Sequence, residues 1–213
     1  MPRSARHDHQ DTVRRAAHLF WERGYHACSL KQLEAVLDMR PGSIYAAFGS
    51  KEDLFHAALM FYYEQLQEGL KQELESHGTV LEGMRAYLRR LAAEATGEIG
   101  KGSAPVPACM MVKTLLEVTV DTPGLTDTVN HLFDRVEQDL TATLDQAREK
   151  GELPPNTDCA RLARLWQAQI IGLRTFAQRR VPVQAVTLLA EDMISLLDPT
   201  VSPGANSHGT RTH

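Results

Sequence analysis

Cys109 and Lys113, in the run PACMMVKTLLE (107–117), come nearest in this sequence to a pair able to do covalent chemistry. Pro107 suits the first turn of a helix. That places Cys109 among backbone N–H groups with no carbonyl partner, a position that favours thiolate. Lys113 follows one turn later, and helical side chains lean toward the N-terminus, so its ammonium is expected to approach the sulfur. A thiolate so placed would react with electrophiles and oxidants. The other reading of Cys109 is a small buried apolar residue, since free cysteines are among the most buried types. Cys28 and Cys159 complete an odd count with neither metal-finger nor CxxC spacing. This is the pattern of free thiols in a reducing cytoplasm rather than of a disulfide scaffold.

A second chemistry is phosphate binding, in SLKQLEAVLDMRPGSIYAAFGSK (29–51). Ser29 and Lys31 stand where a helix would begin, a natural anion site. Tyr45 offers a phenol, Lys51 a charge at the next helix start, and Arg40 a cation at the corner. Pro41, Gly42 and Ser43 open a short helix whose outward groups, with Ala46 and Ala47, are small enough for close approach to a base edge. Catalysis has no comparable basis. No Ser-His-Asp set or carboxylate pair is suitably spaced, so neither an enzyme nor a cofactor is expected. His7 and His9 read as part of a polar arm, His208 and His213 as part of a polar tail, and no metal site is expected.

The elements that must position these residues are almost all helical. Val13, Ala16, Ala17, Phe20 and Trp21 repeat at helical spacing up to Gly24. Ser29 with Gln32 forms a capping box for a second helix whose buried face is Leu30, Leu33, Val36 and Leu37. After the Asp38–Arg40 corner, Pro41 starts a third helix that carries Ile44 and Phe48 and stops at Gly49. Ser50, with Glu52 and Asp53 behind it, starts a long fourth helix to about His77. A fifth carries Leu81, Met84, Leu88 and Leu91. The Gly/Pro-rich stretch 96–107 reads as a mobile loop. A short helix over about 108–118 follows, then a seventh capped at Thr122, an eighth over 158–179 and a ninth over 183–197. The expectation is an all-α chain of about nine helices: a three-helix helix-turn-helix domain over 1–50, a helical body over 51–198, and a disordered tail over 199–213.

With 213 residues and 43% hydrophobic content the chain can bury a substantial core. No apolar run reaches the roughly 18 residues of a spanning helix, so no membrane partner is expected. The net charge of −4 hides an asymmetry. Residues 1–51 hold eight Lys/Arg against five Asp/Glu, a balance of +3, which leaves −7 for the rest. A basic head on an acidic body permits local phosphate binding.

The stretch GYHACSLKQLEAVLDMRPGSIYAAFGSKEDLF, within residues 10–60, resembles the DNA-binding domain of the TetR family of transcriptional repressors. The resemblance implies a cytoplasmic homodimer that binds a double-stranded operator and is released by a small molecule or an electrophile, with 51–198 as the sensing and dimerisation domain. It puts Tyr45 and Lys51 at phosphates and Pro41, Gly42 and Ser43 near bases. Ala46 and Ala47 depart from the histidines that many members carry. The Cys109 segment is similar to cysteine-bearing electrophile sensors of that family. In relatives the last two helices form the dimer interface. The pattern here agrees, with Leu162, Leu165, Gln169, Gly172 and Phe176 on one face and Trp166, Ile170, Leu173 and Ala177 on another. Phe61, Tyr62, Leu66, Met84, Leu88, Met110, Met111, Leu115, Phe133, Trp166 and Ile170 are either an apolar effector cavity or plain core. A different class is a helical enzyme or adaptor whose head only imitates a DNA reader. Salt-dependent binding to duplex DNA separates the two. Target genes, operator, effector and the sign of regulation are not legible in the residues.

Overall fold

A computed structural model describes residues 3–97, 108–118 and 122–196 of the chain. Among these residues the structure is helical: α1 (Arg3–Arg23), α2 (Leu30–Leu37), α3 (Pro41–Phe48), α4 (Lys51–Ser76), α5 (Val80–Thr96), α6 (Met110–Glu117), α7 (Pro123–Glu149), α8 (Cys159–Phe176) and α9 (Val183–Leu196). No described helix is long and apolar enough to cross a membrane. The all-α expectation holds, with a helix-turn-helix unit at the N-terminal end and helices α5–α9 beyond it. The loop expected over 96–107 and the tail expected over 199–213 lie largely or wholly outside the described residues.

The local signals act where the sequence puts them. Ser29 caps α2 through its hydroxyl, which accepts from the Gln32 N–H at 3.3 Å, while the Gln32 side chain accepts from the Ser29 N–H at 2.8 Å. Asp38 ends α2 in the left-handed region at φ 54, a conformation that short polar side chains tolerate. Pro41 occupies the first turn of α3, and Ser50 caps α4 by accepting from the Asp53 N–H at 3.0 Å.

One expectation needs correcting. The polar segment read as an arm is helical, because nothing between Arg3 and Arg23 breaks a helix and α1 runs through it. His9 stacks on Phe48 with ring centroids 4.8 Å apart, which ties α1 to the end of α3.

Two apolar cores organise the chain. The first gathers Phe20, Leu33, Ile44, Leu54, Phe55 and Leu59 from α1–α4, and continues into Met110, Met111, Leu125 and Leu132 of α6 and α7. The second packs Met84 and Leu88 of α5 against Leu140 and Leu144 of α7, Trp166 and Leu173 of α8, and Val186 and Ala190 of α9. Helices α1–α4 therefore share a core with α6 and α7. Burying about 1.5–3 kcal/mol of apolar side chain at each such position links head to body.

Candidate DNA-binding surface and effector cavity

On α3 only Ile44 is buried. Gly42, Ser43, Tyr45, Ala46 and Ala47 are exposed, with Tyr45 at 45%. A helix so short, held by one buried residue and two half-buried ones (Pro41 and Phe48), keeps its whole outer face for another surface. Ser29, Lys31 and Arg40 are exposed around it. Arg15 of α1 donates to the Val36 carbonyl, satisfying one of the last acceptors of α2 and fixing the crossing helix against α1.

Lys51 differs from the others. Its ammonium donates to the Tyr25 carbonyl at 2.7 Å and lies 4.4 Å from the Tyr25 ring centroid. Partial burial draws its pKa down. It works first as a brace between the α1–α2 loop and α4.

The end of α1 is held by α6. The indole of Trp21 donates to the Ala108 carbonyl at 2.6 Å. Lys113 donates to the carbonyls of Trp21 at 2.6 Å and Glu22 at 3.0 Å. Glu117 accepts from the Tyr25 N–H at 2.8 Å. A cation placed on the terminal carbonyls of a helix also opposes the negative end of its dipole. Gly24 makes the approach possible: its φ is +84, and a Cβ there would stand 2.0 Å from Glu117 Oε1. Lys113 thus serves the head, not the sulfur as its sequence spacing suggested. The reason is that the terminal carbonyls of α1 lie across the joint and accept two of its protons. Cys109 is the N-cap residue of α6, buried at 7% exposure, and its side chain makes no capping hydrogen bond.

Next to this joint lies a cavity of about 280 Å³ between α1, α4, α5 and α8. Trp21, Phe61, Tyr62, Leu66, Tyr87 and Leu91 supply apolar wall, and Arg14, His18, Arg90, Glu94 and Arg174 supply polar groups. A smaller cavity of about 60 Å³ adjoins it through Leu66, Tyr87 and Arg174, and is also lined by Cys109 and Ile170. Of the eleven residues suggested by pattern, Phe61, Tyr62, Leu66 and Ile170 line these spaces. Met84, Leu88 and Trp166 pack in the second core; Met110, Met111 and the half-buried Phe133 belong to the first. Leu115 is 41% exposed and faces away from packing. Pattern missed Trp21, Tyr87 and Arg174. A signal for Arg174 existed, because it continues the inward row Trp166, Ile170 at intervals of four.

Burial holds the Tyr62 hydroxyl well above its ordinary pKa and that of Tyr87 up to about 12, so both remain protonated donors. Tyr87 donates to the Leu66 carbonyl at 3.3 Å. Among the described residues no group of three His, Cys, Asp or Glu is placed to hold a metal ion. Cys28 and Cys159 are buried free thiols, and burial raises the pKa of both.

The outer side of α8 carries Leu165 at 45% exposure and an exposed Gly172, with the half-buried Leu162, Gln169 and Phe176 alongside them. Leu188 of α9, 65% exposed, extends the same apolar character. A Cβ added at Gly172 would meet only Met193 Cε, at 3.9 Å.

Comparisons with known proteins agree with this arrangement. Residues 13–58 match the family described as bacterial regulatory proteins, tetR family, and residues 86–187 match the tetracyclin repressor-like C-terminal domain. The HTH-type transcriptional repressor ComR of Escherichia coli (strain K12) is 26% identical over 191 residues, 89% of this chain and 88% of that protein. The uncharacterized HTH-type transcriptional regulator YezE of Bacillus subtilis (strain 168) is 26% identical over 199 residues, 93% of this chain and 100% of that protein. Among solved structures, a cysteine mutant of the TetR family regulator CifR, complexed with 26-base-pair operator DNA, superposes with a TM-score of 0.77. It is 28% identical, covering 87% of this chain and 94% of that one.

Proposed function

The chain belongs to the TetR family of transcriptional regulators, and from that premise we propose that it is a cytoplasmic homodimeric repressor that leaves a palindromic operator when its body takes up a signal. The observation that carries the reading is the outer face of α3, where Gly42, Ser43, Tyr45, Ala46 and Ala47 have no packing role. In such a dimer α3 enters the major groove while α2 crosses the backbone. Ser43 and Gly42 meet base edges; Ser29, Lys31, Tyr45 and the remaining donors of Lys51 meet phosphates; Arg40 stands at the groove edge. Dimerisation through α8 and α9 would bury Leu165, Phe176 and Leu188 and set the two α3 helices about 34–36 Å apart.

The signal acts through the joint. The effector cavity is walled by α1 of the head and by α4, which runs from the head into the body. Its neighbour contains Cys109, which starts α6, and α6 holds the end of α1. A ligand in the cavity and an adduct on the Cys109 sulfur are two routes to the same displacement. Both shift α1 and α4 relative to the body, and both change the spacing of the two heads.

The test is selection of bound sequences from random duplex DNA, followed by affinity measurements across a salt series. A palindromic site is expected, with log affinity falling linearly as log salt rises, at about 0.9 per phosphate neutralised. Absence of any enriched site, or affinity indifferent to salt, would favour the helical adaptor instead.

A further inference from the structure

Arg174 is a charged side chain buried in the body of the protein without a carboxylate partner. It is 4% exposed, its Nη1 has no hydrogen-bond partner, and its guanidinium carbon lies 5.9 Å from the Trp21 ring centroid. None of the ion pairs among the described residues includes it. The nearest candidate, Glu94, stands 3.1 Å from Arg90 Nε, and Arg90 also pairs with Glu73 at 3.4 Å. A buried cation without a carboxylate is strongly unfavourable. A second polar group faces the same need: the Tyr62 hydroxyl is buried with no nitrogen or oxygen partner, and only the weakly hydrogen-bonding Cys109 thiol lies beside it. Both groups line the same cavity. Its other cations are Arg14 and Arg90, against the single carboxylate of Glu94.

We propose that Arg174 and Tyr62 form an anion receptor, and that the effector of this protein is a small aromatic carboxylate. A guanidinium fork holds a carboxylate through two parallel N–H donors, and a protonated phenol adds a third. Trp21, Phe61, Tyr87 and the leucines give the ring of such a molecule an apolar, aromatic enclosure. The volume sits just below the usual lower bound of about 300 Å³ for ligand pockets, which favours a single-ring compound. Entry of the carboxylate completes the coordination of Arg174 and presses the ring against Trp21 and Phe61. That places the ligand against α1 and α4, the two elements joining head to body.

This inference rests on the regulatory reading above and names its effector class, so the experiment separates the two. Binding is measured on full-length, DNA-free protein by calorimetry and by thermal shift, with benzoate, phenylacetate and naphthoate as probes and benzamide as the uncharged isostere of benzoate. At least one carboxylate is expected to bind and to raise the melting temperature, with benzamide weaker than benzoate by about tenfold or more. Arg174→Gln is expected to remain folded, with a melting temperature at or above wild type because an uncompensated buried cation has gone, and to lose the preference for carboxylate over amide. Equal binding of benzoate and benzamide, silence of all three carboxylates at millimolar concentration, or a carboxylate preference that survives in Arg174→Gln overturns the anion receptor. The wild-type comparison stands even if the variant is unstable. Operator release is assayed separately. A carboxylate that binds and leaves the DNA complex intact overturns the effector assignment while the anion site stands, whereas failure to bind overturns the receptor and leaves DNA recognition untouched.

Discussion

Replacing Lys113 with methionine tests the joint between head and body. The substitution keeps most of the apolar stem and removes the ammonium that donates to the Trp21 and Glu22 carbonyls at 2.6 and 3.0 Å. The first bond is partly buried, and a hydrogen bond from a charged donor contributes about 1.5–3 kcal/mol. The second is exposed and adds little, and the interaction of the cation with the end of α1 adds about 0.3–1 kcal/mol. The expected loss is about 2 kcal/mol, or about 4–8 °C in melting temperature for a chain of this size. Differential scanning calorimetry reads it directly, and Lys113→Arg, which keeps a cation at the same helix end, should recover part of it. Gly24→Ala should act on the same joint from the other side. It forces an L-residue to φ +84 and sets a Cβ 2.0 Å from Glu117 Oε1, so it should destabilise and weaken the response to effector together. Because the ammonium is committed to backbone oxygens, the rate of Cys109 alkylation should be nearly unchanged in Lys113→Met. An unchanged melting temperature, with a thiol reaction slowed several-fold, would refute this assignment and restore the lysine to the sulfur.

Lys31→Ala should weaken binding to all DNA sequences alike and flatten the salt dependence by about 0.9 for each phosphate that is no longer neutralised, whereas substituting Ser43 should change the order of preference among operators. Fluorescence anisotropy across a salt series distinguishes the two. Phe176→Asp or Leu188→Asp should dissociate the dimer and abolish operator binding, since one head alone grips only half of the site. Sedimentation showing an intact dimer for both would place the interface elsewhere. If Cys109 carries an oxidant signal, Cys109→Ser should bind operator normally and ignore hypochlorite, and dissociation at the wild-type dose would leave the ligand route alone. Arg89 holds the Glu191 carboxyl below its ordinary pKa through a bidentate pair at 2.7 and 2.8 Å. The resulting stability is present above the unfolded pKa of Glu191 and lost as pH falls through the lowered folded value. Both side chains are about half exposed, so the effect should be only a few tenths of a kcal/mol. Arg89→Gln should remove that acid-side slope in thermal melts.

The sequence by itself determined the order of the helices and most of their ends. Capping box, proline at a first turn and glycine at a last one are interactions within a few residues, and their chemistry reads the same in any fold. It also determined the corner at Asp38–Arg40 and the small outward groups of α3, because a helix of eight residues with one buried side chain has few alternatives. The partners of the charged residues belong to the tertiary structure. Lys113 finds its acceptors 91 and 92 residues away, and Lys51 finds Tyr25 26 residues away. Spacing along one helix pointed Lys113 at Cys109, and only the packing of α6 on α1 offered better acceptors. Arg174 is the strongest case. On the chain it is one of three arginines in α8, and its place in the row of Trp166 and Ile170 gives a direction but no partner. Its burial, its missing counter-ion and the cavity it shares with Tyr62 exist only once α1, α4, α5 and α8 have closed around it. Electrostatic cost depends on the surroundings of a charge, and those surroundings are built by residues remote in sequence.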